Sequence, residues 1–139
     1  MNTRHVDLVA LILRLALGGM FVAHGLLKLL VFSLSGTAQF FAAAGFPAWS
    51  AYPVTFIEIV GGVLMIAGLY SRWIAIVTLP ILLGALSVHW ANGWLFTNAK
   101  GGWEYAAFLS MTAVALALLG DGAYSLRRLF QRNQTATTG

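Results

Sequence analysis

Residues 7–30 read DLVALILRLALGGMFVAHGLLKLL. A helix needs about 20 mostly apolar residues to cross bilayer hydrocarbon, and this stretch supplies them with Arg14, His24 and Lys28 as its only ionisable groups after Asp7. The same test applied outward gives three further spans: residues 51–70 (AYPVTFIEIVGGVLMIAGLY), 73–91 (WIAIVTLPILLGALSVHWA) and 103–119 (WEYAAFLSMTAVALALL). No charge falls between Lys28 and Glu58, and none between Arg72 and Lys100. Pro53 lies in the first turn of the second span, where a missing N–H does no harm. Pro80 lies inside the third, where neighbouring helices in lipid tolerate it.

Composition agrees with this reading. Of 139 residues, 60% are hydrophobic and 9% charged, with mean hydropathy +0.84, whereas a soluble domain carries about 25% charged residues. An ordinary soluble enzyme, a disordered chain and a nucleic-acid-binding module are excluded. The net charge of +4 arises from 8 Lys+Arg against 4 Asp+Glu, without a long basic run. It therefore informs membrane orientation rather than a polyanionic partner. Cysteine is absent, which excludes thiolate nucleophiles, disulfide exchange, Fe–S clusters and covalent haem within this chain.

The predicted fold is all-α: a polytopic bundle of four transmembrane helices, forming one domain over residues 1–126. The first loop, SLSGTAQFFAAAGFPAWS, has no charge. Gly36, Gly45 and Pro47 bracket only about ten residues there, so it reads as a short interfacial or re-entrant helix. Residues 127–139 read as a disordered cytoplasmic tail, since QRNQTATTG has no apolar periodicity. Arg14 interrupts the apolar region and no A-x-A site follows, so the first span is expected to be retained rather than cleaved.

Ionisable residues inside spans mark function by default. At 1.5 Å per residue, Lys28, His24, Glu58 and His89 lie roughly 3, 9, 11 and 3 Å from the outer ends of their spans. Glu104 sits at the same rim, with Asn92 beside the cluster. Arg14 is about 24 Å deep, in the inner half. Arg14, Gly18, Phe21, Gly25 and Lys28 form one stripe on the first span, and Glu58, Gly61, Gly62, Met65 and Gly68 a comparable one on the second. Glycines allow close approach, so these faces are expected to pack, with Glu58 reaching His24 or Lys28 in preference to Arg14. Structural roles stand beside the functional ones. Lys28 and Glu104 can snorkel to headgroups, His89 can be interfacial, Glu58 can be an ion pair that fixes packing, and Arg14 can pair with Asp121. His24 and His89 are too few, and lack the flanking motif, to specify b-type haem. His24, Glu58, His89 and Glu104 have no ligand spacing that specifies a metal.

Five blocks carry a resemblance. Arg14–Leu29 (RLALGGMFVAHGLLKL) resembles the opening motif of the DoxX family, and Thr37–Pro47 (TAQFFAAAGFP) its first loop. Glu58–Arg72 (EIVGGVLMIAGLYSR) is similar to its second helix, and Val88–Trp94 (VHWANGW) and Gly101–Tyr105 (GGWEY) to its third and fourth blocks. The likeness is collinear over about residues 7–126. It implies a small four-helix protein of the bacterial inner membrane, in a family whose members are described as oxidoreductases. One branch resembles the small membrane subunit of a thiosulfate–quinone oxidoreductase, and others are linked to thiol or oxidative-stress partners. The family's motif positions fall here on Arg14, His24, Gly25, Lys28, Glu58, Gly61, Gly62, Arg72, His89, Asn92, Gly102, Trp103, Glu104 and Tyr105.

The expected function is a membrane subunit of an oxidoreductase system, joined to a redox protein partner and holding a quinone. Glu58, His24, Lys28 and Glu104, with Arg14 and His89, would relay protons or bond the ligand. Phe21, Trp103, Tyr105 and Asn92 would form the quinone slot. The chain is expected to assemble as a homo-oligomer as well; a non-catalytic scaffold or anchor for a partner protein, and a small transport component, are the alternatives. Orientation follows from the arginines: Arg4, Arg72, Arg127, Arg128 and Arg132 fall on one side, and Lys100 alone lies in a loop on the other. Both termini are thus expected in the cytoplasm. Reporter fusions at Gly139 and at Lys100 check this: a cytoplasmic reporter should be active at Gly139 and a periplasmic one at Lys100.

Overall fold

The computed structural model describes residues 2–137. Every regular element among them is helical: α1 (Thr3–Leu26), α2 (Leu34–Ala43), α3 (Ala51–Phe56), α4 (Gly62–Ala67), α5 (Ser71–His89), α6 (Glu104–Leu119) and α7 (Leu126–Thr137). Two π-helical turns, Leu27–Val31 and Ile57–Gly61, extend α1 and join α3 to α4. Three continuous helices are long and apolar enough to cross a membrane: Thr3–Val31, Ala48–Ala67 and Ser71–Asn92. The fourth apolar segment, α6, has 16 residues, about 24 Å at 1.5 Å per residue.

Two glycine-mediated contacts set the packing. A Cβ on Gly18 of α1 would lie 2.7 Å from the Gly62 carbonyl oxygen, and one on Gly62 would lie 2.7 Å from the Gly18 oxygen. The backbones of the first two spans therefore touch, as small residues allow in lipid. The stripes expected from sequence form this contact: Arg14, Gly18, Phe21 and Gly25 are buried, and so are Glu58, Gly61, Gly62, Met65 and Gly68. Helices α5 and α6 pair alongside, and α1 also meets α6. Leu17, Phe21, Met65, Ala75, Leu82, Ala113 and Leu116 make the common core. Three buried hydroxyls donate within their own helices, Thr55 to Ala51 O, Thr78 to Ala75 O and Ser110 to Ala106 O, while the buried Ser71 hydroxyl has no partner among the described residues. The exterior is the reverse of a soluble protein's: Leu30, Met111 and Leu118 are 72%, 70% and 75% exposed, a surface suited to acyl chains.

The end carrying the N-terminus is stitched by charged groups. Asp121 Oδ1 accepts the Ser71 N–H at 2.7 Å and so caps α5, while Arg72 Nη2 donates to Leu118 O at 3.2 Å at the end of α6. Asp7 Oδ1 accepts the Ala123 N–H at 2.8 Å. Burial acts to raise the Asp121 carboxyl, but hydrogen bonds from Ser71 and the Arg127 guanidinium outweigh it and hold the group below its ordinary range.

Chain ends depart from expectation. The first helix begins at Thr3, four residues earlier than the apolar run. Asn2 explains this, because its side chain accepts the Arg4 N–H as an N-cap. The tail expected to be disordered is helical to Thr137, as α7; Leu126, Leu129 and Phe130 recur at i, i+3 and i+4 opposite Arg127, Arg128 and Gln131, an amphipathic pattern in too short a run to be evident beside the apolar spans. Residues 138–139 lie outside the described residues.

Two predictions follow from these contacts. Gly62→Ala places a methyl against the Gly18 oxygen and Val22 N, and should lower stability in detergent by about 1–3 kcal/mol. Gly19→Ala, with nothing within 4 Å of its Cβ, should be neutral or stabilising in the same thermal assay. Because the folded-state pKa of Asp121 is depressed, its contribution is full above the ordinary carboxylate pKa of about 3.9 and fades as pH falls through the lower folded value. Asp121→Asn should thus be less stable than the native chain at neutral pH, with the gap closing under strong acid.

Candidate functional site

Lys28 and Glu58 face each other at the end of the bundle remote from the N-terminus. Lys28 Nζ donates to Glu58 Oε2 at 2.7 Å and to Oε1 at 2.9 Å. The carboxylate side chain is 6% exposed and the ammonium side chain 18%. The approach depends on Gly25, where a Cβ would stand 2.5 Å from Ile59 Cγ1 and 3.3 Å from Glu58 Cβ. Each partner sits on a π-helical turn. Such a turn holds one residue more than an α-turn, redirects the side chains that follow, and recurs at functional sites. The first is closed by the Phe32 N–H donating to Leu27 O at 3.0 Å. Thr37 of α2 then supplies the Lys28 carbonyl with a hydroxyl donor at 3.2 Å, so α2 is tied to the turn that carries the lysine.

His24 lies one turn before Lys28. Its Nδ1 is 2.8 Å from Met20 O. A carbonyl only accepts, so the proton is assigned to Nδ1, and in the neutral ring Nε2 is an acceptor. The imidazole stacks on Tyr105 with ring centroids 6.1 Å apart, and the Tyr105 hydroxyl donates to Met20 Sδ at 3.3 Å. Tyr105 also walls an open, apolar groove of about 520 Å³, together with Trp94, Phe96, Glu104, Phe108 and Met111. One aromatic ring therefore lies between the polar cluster and this apolar groove.

The other expected site residues have different surroundings. His89 Nδ1 donates to the carbonyls of Lys100 and Gly101, each at 3.1 Å. Asn92 Nδ2 donates to the same two oxygens, and Glu104 Oε1 accepts the Phe96 N–H at 2.9 Å. These three side chains shape the loop between α5 and α6. Trp103 is packed between Trp90, 4.8 Å away in a stacked arrangement, and Trp94, 4.5 Å away edge-on. Phe21 belongs to the core. Of the four residues expected to wall a quinone slot, only Tyr105 lines the groove. Arg14 lies at the far end, where its guanidinium donates to Tyr124 O. It does not pair with Asp121, whose carboxylate is taken by Ser71 and by Arg127 at 3.2 Å. The fully buried Arg14 thus anchors the segment after α6 and stands apart from the Lys28–Glu58 cluster. Among the described residues no three His, Asp or Glu side chains converge as metal ligands.

Several groove and support residues escaped sequence reasoning. Phe108 and Met111 share a helical face with the expected Glu104, at i+4 and i+7 from it, a periodicity that was there to be read. Trp94 and Phe96 reach the groove by loop geometry, and Thr37 reaches Lys28 by a long-range bond, neither of which has a local signal.

The fold and this site define a small helical membrane protein with a polar cluster between its first two spans. The DoxX family pattern matches residues 9–90, and the chain belongs to the DoxX family. It is 34% identical to "Putative oxidoreductase CatD" of Bacillus subtilis over 115 residues, 83% of this chain and 81% of that protein. It is also 34% identical to an uncharacterized protein of Haemophilus influenzae over 120 residues, 85% of this chain and 87% of that one. No solved structure matches it.

The pair makes an asymmetric prediction. Lys28→Met strands a carboxylate only 6% exposed and should cost about 3–5 kcal/mol. Glu58→Gln leaves a partly exposed ammonium that can snorkel to the headgroups, and a hydrogen-bonding amide in place, so it should cost only about 1–3 kcal/mol. Thermal melts of both variants in one detergent check the order; equal losses would contradict it.

Proposed function

We propose that this chain is the membrane subunit of an oxidoreductase system of the bacterial inner membrane, and that the cluster of His24, Lys28, Glu58 and Tyr105 handles a quinone. The observation that carries this reading is Tyr105: one face of its ring is stacked on His24, and the residue also lines the apolar groove. A quinone needs an apolar slot open to lipid and one or two polar groups at its carbonyls. Here the groove suits the ring and tail, and the cluster supplies the polar groups. A bound quinone would supply the two-electron chemistry, and a redox protein partner its electrons, since the chain has no cysteine of its own.

The chain's own residues then have separate tasks. Tyr105 orients the ring. His24, holding its Nδ1 proton on Met20 O, would take a proton at Nε2 and hand it to a quinone oxygen as the partner's electrons arrive. The Lys28–Glu58 pair, dry on one side and reaching the rim on the other, passes a proton between that acceptor and the headgroup layer. Glu104, engaged with the Phe96 N–H, holds the loop that roofs the groove.

The topology belongs to the same proposal. In it α6 is a fourth span, short enough to thin the bilayer locally, and both termini are cytoplasmic. Helix α2 lies in the opposite interface as an interfacial helix, with no charge and a backbone tied to Lys28 by Thr37.

Extraction of lipids from the purified chain, with an ultraviolet–visible spectrum before and after, tests the ligand. Quinone should co-purify, and Tyr105→Ala should lose it. Glu58→Gln should retain a folded chain while quinone-linked activity falls by about 100-fold. A chain that carries no quinone, and whose Glu58→Gln variant supports full activity, would be a scaffold instead.

A further inference from the structure

At the end of the bundle opposite Lys28 and Glu58, a cavity of about 690 Å³ opens between the start of α1, the start of α5, the segment after α6 and helix α7. Arg72, Arg127 and Arg128 are in its wall, and so are Asp7 and Asp121. The two acids are already engaged: Asp7 accepts the Ala123 N–H and Asp121 accepts the Ser71 N–H and Arg127. Arg127 lies over the Tyr70 ring at 5.7 Å as well as on Asp121. Arg72 spends one nitrogen on Leu118 O, and the exposed Arg128 side chain is in no ion pair. The wall thus holds three cations against two anions, a net charge of +1, and of the three arginines only Arg127 is in an ion pair among the described residues.

Helix α7 adds a second, independent observation. Its sequence begins LRRLFQR and contains no acid. Arg127, Arg128 and Gln131 line the cavity, while Leu126, Leu129 and Phe130 do not and are 42%, 54% and 58% exposed. A basic face on a polar cavity and an apolar face turned away from it is the pattern of a helix lying in the headgroup layer. Three guanidiniums around one recess match a phosphate, which each can bond with two parallel N–H donors.

We propose that this cavity binds the phosphate of an anionic phospholipid, gripped by Arg72 and Arg128, with the apolar face of α7 embedded at the acyl boundary beside it. Charge complementarity selects the lipid: a zwitterionic headgroup brings its own cation into a recess that already holds surplus arginines, and an anionic one does not. The site shares no residue with the quinone site and stands whether or not that reading holds.

Native mass spectrometry of the purified full chain, offered phosphatidylglycerol and phosphatidylcholine together in mixed micelles, tests it. The chain should retain phosphatidylglycerol selectively. Arg72→Gln and Arg128→Gln should each reduce the preference about fivefold, Arg128→Lys should keep most of it, and Arg4→Gln, outside the cavity wall, should leave it unchanged. Equal retention of both lipids, or unchanged preference in the glutamine variants, would overturn the proposal. Displacement by inorganic phosphate as effective as by phosphatidylglycerol would make the ligand a free anion and overturn it as well. The absence of native cysteine allows a second readout: a nitroxide on Phe130→Cys in phosphatidylglycerol nanodiscs should collide with oxygen and not with a water-soluble nickel chelate. The reverse accessibility would place α7 in water and refute the embedded helix.

Discussion

Glu58 can occupy the interior of an apolar bundle because Lys28 meets both of its oxygens, and the rest of the first two spans is arranged to permit that meeting. A carboxylate without water needs a cation and hydrogen bonds together. The lysine can deliver both only if the helix backbones are in contact, and Gly18, Gly25 and Gly62 remove the Cβ atoms that would hold them apart. The π-helical turns complete the geometry by redirecting Lys28 and Glu58. Their irregular backbone is tolerated beneath α2, whose Thr37 hydroxyl caps the Lys28 carbonyl. Pair, glycines, π turns and α2 are therefore one device rather than four features.

The parts of this device differ in how far they could be read from sequence. The glycine stripes were legible because a helix of 3.6 residues per turn puts Arg14, Gly18, Phe21 and Gly25 on one side. That Glu58 meets His24 or Lys28 rather than Arg14 was legible because depth along a span is fixed by the rise per residue; that Lys28 is the one is seen only in the structure. The π turns were not, since an inserted residue leaves no composition signal and is decided by what packs across from it. His89, Asn92 and Glu104 read as site residues because they ionise or bond near the same rim. In the structure their groups are consumed by loop carbonyls and an N–H, a role set by the path of residues 93–103, which no periodicity describes.

The same limit explains Arg14 and α7. Matched depth made Asp121 the expected partner of Arg14, but depth does not say which of several acceptors wins. The Tyr124 carbonyl is nearer the guanidinium, while Asp121 is held by the Ser71 N–H and Arg127. In α7 the apolar positions are few and the arginines many, so the stretch reads as polar when scanned by composition. Its order is visible only when 126, 129 and 130 are projected on one helical face.

All four acidic residues of the chain are used internally, and this decides where its charge appears. Asp7 accepts the Ala123 N–H, Glu58 accepts Lys28, Glu104 accepts the Phe96 N–H, and Asp121 accepts the Ser71 N–H and Arg127. Three of them cap backbone that a bilayer protein cannot leave bare near the hydrocarbon, and one balances a cation between helices. At the end that carries the N-terminus six arginines stand against Asp7 and Asp121, whereas Lys28 and Lys100 at the other end are matched by Glu58 and Glu104. The net charge of +4 is consequently concentrated at that end. Acids drawn inward for structural reasons thus leave a basic rim outward, and the orientation signal of the sequence is a by-product of how the bundle satisfies its own backbone.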